Sequence, residues 1–308
     1  MKRVVVTGAN GFIGRALVER LLAYEHEVFA VSRCFSDDYP TSKNLHCICM
    51  NYEEYHKLSD IVSKDIDWFA HFAWQGVSGK DSKDSLIQAD NIKAAMIAMK
   101  QAKKLGANSF LFAGSSYQYR MEAQMIDNKE EFVCKNIYGC AKQACADLLR
   151  AMAFEYHISL DVVLFTNVFG VGDRSRRSTN SMIIQLLNEK KLDLITGEHL
   201  HDWTYIDDAV GGIIAVFEKG HANQCYYIGS RKLDTFKTII LRVRAAVCPE
   251  AELQFGAYSD RSYIDYSKID LDLLYRDTGF ECRANFEESI RKTAMWLKEQ
   301  KVMEERVE

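Results

Sequence analysis

Tyr138 and Lys142 stand four residues apart in Tyr138-Gly-Cys-Ala-Lys142. On a helix, positions i and i+4 share one face, so phenol and ammonium point into the same space. A cation beside a phenol favours the phenolate and lowers its pKa. Such a tyrosine suits proton transfer to and from a hydroxyl or ketone near neutral pH. One strand-helix unit earlier, Gly114-Ser115-Ser116 ends a β-rich run. A hydroxyl there can hydrogen-bond the same substrate oxygen. The Y-x-x-x-K spacing alone arises by chance, and Ser115 is what gives it force.

A second cluster lies at the N-terminus, in Thr7-Gly-Ala-Asn-Gly-Phe-Ile-Gly14. The glycines let backbone turn tightly and approach a pyrophosphate, and a following helix offers free N–H groups and a positive dipole end. The spacing is G-x-x-G-x-x-G, with a strand before and a helix after, which is the context that gives a glycine motif meaning. The next strand ends Val31-Ser32-Arg33. A site preferring NAD usually has Asp or Glu there, roughly 20 residues past the glycines. Ser32 removes that carboxylate, and a guanidinium at Arg33 can pair with a 2′-phosphate. The residues therefore predict a preference for NADP, with NAD as the alternative if Arg33 is only a solvated loop cation.

The elements that must position these groups alternate along the first half. Strands are expected over Val4–Thr7, Val28–Val31, Leu45–Met50, Asp67–Ala73, Ser109–Ala113 and Leu160–Phe165. Helices are expected over Ala16–Tyr24, Asp90–Leu105, which Gly106 closes, and Tyr138–Tyr156. Alternating strands and helices imply a parallel sheet covered on both faces, with ligands bound beyond the carboxyl ends of the strands. Past residue 170 the pattern loosens. Helices are expected over Ser181–Asn188, Asp207–Glu218, Thr235–Val247 and Glu287–Gln300, with a strand at Cys225–Ile228. The expected organisation is a dinucleotide domain over 1–170, with segments around 202–230 returning to it, and a smaller lobe over 171–308 that closes over the ligand cleft.

Composition narrows the class. The 308 residues carry a net charge of -4, which gives no electrostatic footprint for nucleic acid or an anionic membrane. No apolar run approaches the ~20 residues of a membrane span. There are nine cysteines, without C-x-x-C or zinc-finger spacing, and they read as apolar filler of a reduced, cytoplasmic protein. No carboxylate/histidine set suggests a metal. Only two prolines occur, Pro40 and Pro249.

Taken together, these motifs resemble an extended short-chain dehydrogenase/reductase of the NAD(P)-dependent sugar-nucleotide epimerase/dehydratase/reductase group. The resemblance is carried by TGANGFIG at 7–14, DWFAHFAW at 67–74, Asn91, FLFAGSSYQY at 110–119 and YGCAK at 138–142. NVFGVG at 167–172, DWTYIDD at 202–208 and DYSK at 265–268 add to it. It implies a Rossmann-type doubly wound parallel sheet with a C-terminal α/β substrate lobe, a nucleoside-diphosphate sugar as substrate, and a homodimer built through the two long helices. It also implies roles for residues. Ser115 matches the catalytic Ser/Thr and Tyr138 the acid/base. Lys142 matches the lysine that holds the nicotinamide ribose. Gly8, Gly11, Phe12, Ile13 and Gly14 match the pyrophosphate loop. Phe72, Ala73, Asn91 and Phe165 match cofactor-lining positions. Asn51 and Tyr52 fall where the group usually has Asp-Leu/Ile beside the adenine. Asn167 matches a sugar-nucleotide contact.

Departures sharpen the chemistry. The group's 4,6-dehydratases follow the catalytic threonine with Asp-Glu, and here those positions hold Ser116 and Tyr117. Without that acid pair, elimination of water has no proton donor or base. Hydride transfer at one ring carbon remains, as a 4-ketoreductase or as a 4-epimerase. Ser32-Arg33 tilts the reading to the reductase. A non-catalytic dinucleotide sensor is the third alternative, against which the intact Ser115, Tyr138 and Lys142 argue. Trp74 replaces a small residue and is expected either to wall the sugar pocket or to pack under a loop, and Ser116 is a candidate substrate contact. Among Arg174, Arg176 and Arg177, at least two are expected to be solvated, and Arg177 is the candidate substrate ligand. His201 stands where a diphosphate-binding arginine is usual, and Arg261 is a candidate late arginine. Cys140 is expected as a small buried residue, with a redox-sensitive thiol beside Lys142 and a helix start as the alternative, and His71 as a packed, hydrogen-bonded one.

Overall fold

The computed structural model describes residues 1–63, 65–133 and 136–305. The chain begins with β1 (Arg3–Thr7), α1 (Phe12–Ala23), β2 (Glu27–Ser32), β3 (Leu45–Cys49), α2 (Leu58–Ile61), β4 (Trp68–His71), α3 (Ser85–Lys104) and β5 (Ser109–Ala113). A hairpin of β6 (Arg120–Ile126) and β7 (Lys129–Val133) precedes α4 (Ile137–Tyr156) and β8 (Ser159–Phe165). Next come β9 (Asn167–Phe169), α5 (Ser178–Leu187), β10 (Leu192–Ile195), β11 (Leu200–His201), β12 (Trp203–Tyr205), α6 (Ile206–Lys219) and β13 (Cys225–Ile228). The chain closes with β14 (Asp234–Thr235), α7 (Phe236–Val247), β15 (Leu253–Tyr258), β16 (Ser262–Ile264), α8 (Leu273–Thr278) and α9 (Phe286–Glu305).

Seven strands form one parallel sheet in the order β13-β8-β5-β4-β1-β2-β3. The inner strands are largely apolar because both faces are covered, whereas the edge strand β3 is half-buried or exposed. Val4 and Val6 of β1 pack with Leu17, Val18 and Leu21 of α1 and with Val210 and Ile213 of α6. Val5 points the other way, to a core of Phe69, Phe110 and Phe112 with Ala98 and Met99 of α3 and Ala146 and Leu149 of α4. The strand order reverses between β1 and β4, and the crevice beyond their carboxyl ends is where an open α/β sheet takes a ligand.

Three helices start three or more residues earlier than their periodicity predicts, α5 at Ser178 among them. α1 begins at Phe12, directly after the glycine loop. α3 begins at Ser85 because the Asp84 carboxylate accepts from the Leu86 and Ile87 N–H groups, an N-cap that outweighs the weak apolar pattern before residue 90. The hairpin over 120–133 has no counterpart among the expected elements. Its turn, Asp127-Asn128, has φ of 48° and 61°, the left-handed pair that a two-residue type I′ turn needs. β16 then adds antiparallel to β6. The remaining small ladders pair β9 with β12, β10 with β15 and β11 with β14.

Candidate active site

The glycine loop is shaped by close approach. Gly8 has φ +69°, and a Cβ there would lie 2.6 Å from the Ala73 backbone nitrogen. A Cβ on Gly14 would lie 2.3 Å from the Gly8 carbonyl oxygen. Gly11 is the N-cap of α1 and makes no side-chain cap bond, so first-turn N–H groups of Phe12, Ile13 and Gly14 face the crevice as anion donors. This cradle fits a pyrophosphate. Phe72 and Ala73 crowd Gly8, and the Phe72 ring meets Phe165 at 6.1 Å. Tyr39 covers the loop, its hydroxyl donating to the Ala9 carbonyl at 3.1 Å.

The other expected cofactor residues sit around this loop. Ser32 ends β2 half-buried, and the Arg33 side chain is exposed with no ion pair among the described residues. Asn51 and Tyr52 follow β3, where Asn51 stands at the N-cap position of a short 3-10 turn without a side-chain cap bond. Asn91 is 3% exposed and clasps Gln75, accepting from its N–H at 2.7 Å and donating to its carbonyl at 2.8 Å. Its amide thereby fixes the loop after β4.

At the chemical end, the turn after β5 and the start of α4 are built as one piece. The Ser115 N–H donates to Gln118 Oε1 at 3.0 Å. The Ser115 hydroxyl accepts from the Tyr117 N–H at 3.2 Å and acts to lower the nearby Tyr138 phenol. Asn136 caps α4 by accepting from the Gly139 N–H at 2.6 Å and also donates to the Tyr117 carbonyl at 3.2 Å. A Cβ on Gly139 would lie 2.1 Å from that same carbonyl oxygen. Lys142, 3% exposed, donates to the Ala113 carbonyl at 2.7 Å.

Burial pushes the Tyr138 phenol up to about 12, opposed by the Ser115 hydroxyl and the Arg177 charge. Burial draws the Lys142 ammonium down to about 7. The expected lowering of the phenol by Lys142 is thus corrected. The Lys142 ammonium turns to the Ala113 carbonyl and to Trp74, and lies 5.8 Å from the centre of the Tyr138 ring. The cation that favours the phenolate is Arg177.

Arg177 reaches the site from the N-cap of α5. Its guanidinium donates to the Val168 carbonyl at 2.8 Å, pairs with buried Asp173, and sits 5.9 Å from the Phe12 ring. Arg174 and Arg176 are exposed, as expected for two of the three. Arg174 and Arg15 both pair with Asp38, so the loops after β2 and β9 meet over the first turn of α1. Asn167 donates to Thr179 at 2.8 Å. Ser116 is only 3% exposed. The Arg261 guanidinium pairs with Glu130 on β7, turned to the hairpin and not to the Ser115–Tyr138 pair. His201 packs on Phe236, and burial pulls it down to about 4, so it offers a phosphate no charge near neutral pH.

His71 bonds Thr7 through Nδ1 at 2.8 Å and is buried, as expected. Cys140 is exposed, contrary to expectation. Positions 138 and 142 face inward, so position 140 between them must face out. Sequence reasoning misses four supporting residues: Tyr39, Gln118, Asp173 and Gln88, whose Oε1 accepts from Trp74 Nε1. Gln118 and Asp173 each carry a local signal. Gln118 stands three residues after a capping serine, and Asp173 four before an arginine.

The sequence profile described as the NAD dependent epimerase/dehydratase family matches residues 4–229. The chain belongs to that family. Its members are enzymes of the extended short-chain dehydrogenase/reductase kind. Among similar proteins is an uncharacterised UDP-glucose epimerase of Bacillus subtilis, 28% identical over 71% of this chain and 73% of its own length. Two solved structures share the fold. The dTDP-glucose 4,6-dehydratase DesIV of Streptomyces venezuelae, with NAD bound, superposes with a TM-score of 0.81 at 18% identity, covering 98% of both chains. A UDP-N-acetylglucosamine 4-epimerase of Methanobrevibacter ruminantium gives 0.79 at 21% identity, covering 97% of this chain and 99% of its own. The Rossmann-type sheet and the family membership expected from the motifs are therefore established. Among the described residues, no helix is long and apolar enough to cross a membrane.

Proposed function

We propose that this protein transfers hydride at a ring carbon, C4 by preference, of a nucleoside-diphosphate hexose, as an NADP-linked 4-ketoreductase. The observation that carries the reading is the convergence of Ser115, Tyr138 and Lys142 at the end of β5, beside a glycine cradle that fits a dinucleotide. When bound, the nicotinamide supplies the hydride. Gly8, Gly11 and the first turn of α1 hold the pyrophosphate. Phe72, Ala73 and Phe165 line the cleft toward the nicotinamide, and Lys142 holds the ribose. Ser115 donates a hydrogen bond to the ketone oxygen and orients it. Tyr138, which keeps its proton at neutral pH because burial raises it to about 12, delivers that proton to the oxygen as charge develops there. Arg177 and Asn167 face the same cleft and bind the sugar nucleotide.

Arg33 supports NADP over NAD. It is exposed at the end of β2, with no ion pair among the described residues and no neighbouring Asp or Glu at position 32 to repel a 2′-phosphate. A 4-epimerase is the second reading, favoured by one observation. Asp38 joins Arg15 to Arg174 across the first turn of α1, a strap suited to retaining a cofactor through turnover. For the assembly we propose a homodimer through α3 and α4, where Leu86, Leu148 and Phe154 are exposed. The cytoplasm suits the eight described cysteines, which are free thiols.

The test incubates the protein with NADPH and a panel of 4-keto nucleotide sugars. Stoichiometric loss of NADPH supports the reductase. Interconversion of saturated nucleotide sugars without net loss supports the epimerase instead. The cofactor reading is checked by KM for NADPH against NADH in the parent and in Arg33→Ala, and equal parent values would overturn it.

A further inference from the structure

Lys142 is a buried cation with little to hold it. Among the described residues, its one hydrogen bond is to the Ala113 carbonyl, and no carboxylate pairs with it. A buried ammonium with one neutral acceptor is costly, since it has three donors. The titratable groups around it are Tyr138 and Cys145 on its own helix and His71 on β4. None of them is an anion at neutral pH, since burial raises the Tyr138 and Cys145 pKa values to about 12.

What faces the ammonium is aromatic. Its nitrogen lies 3.7 Å from the centre of the Trp74 ring and 5.0 Å from that of Phe112. Indole is the strongest of the aromatic cation hosts, effective within about 6 Å and most so when water is excluded. The ring is also fixed in place. Its Nε1 donates to Gln88 Oε1 at 2.8 Å, and Gln88, 1% exposed, donates onward to the Gly76 carbonyl at 2.9 Å. The same indole meets the Tyr138 ring edge-on, with centroids 6.3 Å apart and planes at 88°.

We propose that Trp74 is a positioning residue for Lys142, its indole face, clamped by Gln88, holding the ammonium charged beside Tyr138 where no carboxylate does so. Its catalytic meaning rests on the Ser115–Tyr138–Lys142 reading above, but its test does not. Loss of the indole face leaves burial unopposed, so the ammonium gives up its proton at lower pH. Gln88 acts one step further out, by stopping the ring from turning away.

The experiment titrates Lys142 in the full-length protein labelled with 13Cε-lysine, the resonance being assigned by its loss in Lys142→Arg. In Trp74→Leu the midpoint should fall by about one pH unit, the size expected of a desolvated cation–π contact. In Trp74→Phe, which keeps an aromatic face, it should fall by less. If Trp74→Leu does not fold, the parent grown on mono-, di- and trifluorotryptophan decides, because fluorination drains the π face without removing the ring. The midpoint should then fall stepwise, and the same fluorinated residues in a Trp74→Phe chain should produce no step. A midpoint unmoved by fluorination, or equal in Trp74→Leu and Trp74→Phe, overturns the proposal. A stepwise fall stands even if no nucleotide sugar is turned over, an outcome that would defeat the functional reading alone.

Discussion

Replacing Tyr138 by phenylalanine removes one oxygen from a site that otherwise keeps its shape. The ring stays against Trp74 and Tyr117, so cofactor affinity should change little. The proton donor is gone, and kcat should drop about 10²- to 10⁴-fold, the usual worth of a positioned acid or base. Single-turnover rates with NADPH, beside a fluorescence titration of cofactor binding, check both halves, and full turnover in Tyr138→Phe would overturn the mechanism. The residue scale also separates what spacing tells from what it does not. Tyr138 and Lys142 are legible because i and i+4 share a helical face. The direction in which the Tyr138 phenol moves is not, because it depends on burial and on Arg177, which arrives from α5 39 residues later in the chain.

At the scale of elements, Gly139 makes α4 and the turn after β5 one body. A methyl group there would sit 2.1 Å from the Tyr117 carbonyl oxygen, a backbone atom that cannot rotate away. Gly139→Ala must therefore push the turn off the helix and draw Ser115 away from Tyr138. Displacements of about 1 Å cost on the order of 100-fold in rate, and kcat should fall by about that much. Thermal unfolding measured alongside should show a lower Tm, since the Asn136 cap also reaches the Tyr117 carbonyl. If Gly139→Ala retains parental kcat, that coupling is wrong. Elements with strong local signals are legible: the six strands of the first half and helices α4, α6 and α7 lie close to where their patterns put them. The hairpin β6–β7 is not. Its strands are largely half-buried or exposed, so they carry no clear apolar alternation, and their partner β16 comes from far along the chain. Only Asp127-Asn128, tolerant of positive φ, marks the turn.

For the molecule as a whole, Asp161 makes stability depend on pH. It lies within the large sheet, 4% exposed, accepting one hydrogen bond from the Gln224 N–H at 3.1 Å. Burial raises its carboxyl to about 7, against 3.8 ordinarily. The folded state then holds a proton that the unfolded chain has released, so between pH 4 and 7 this group's contribution to stability falls as pH rises. Asp161→Asn keeps the acceptor and removes the charge. The variant's advantage over the parent should grow from pH 4 to 7 and reach a few kcal/mol above that, since a tenfold change in proton affinity is worth about 1.4 kcal/mol. The difference between the two proteins is the quantity to measure, by urea denaturation at pH 5 and pH 8. His71 and His201, lowered by burial to about 3 and about 4, are held neutral in the fold and contribute the opposite slope in both proteins. A constant difference across the range would refute the assignment.

The return of β13 to the large sheet carries a practical consequence. β8 pairs with β5 on one side and with β13 on the other, although the smaller ladders of β9–β12 are threaded between them in sequence. The lobe is therefore no cassette. A chimera joined at residue 170, giving this cofactor half the C-terminal part of a distant relative, would have to find a foreign edge strand that fits Val162–Phe165. Failing that, the graft bares the hydrogen-bonding edge of an apolar strand, an invitation to aggregate. Substrate preference is better transplanted loop by loop, within a chain that keeps its own Cys225–Ile228.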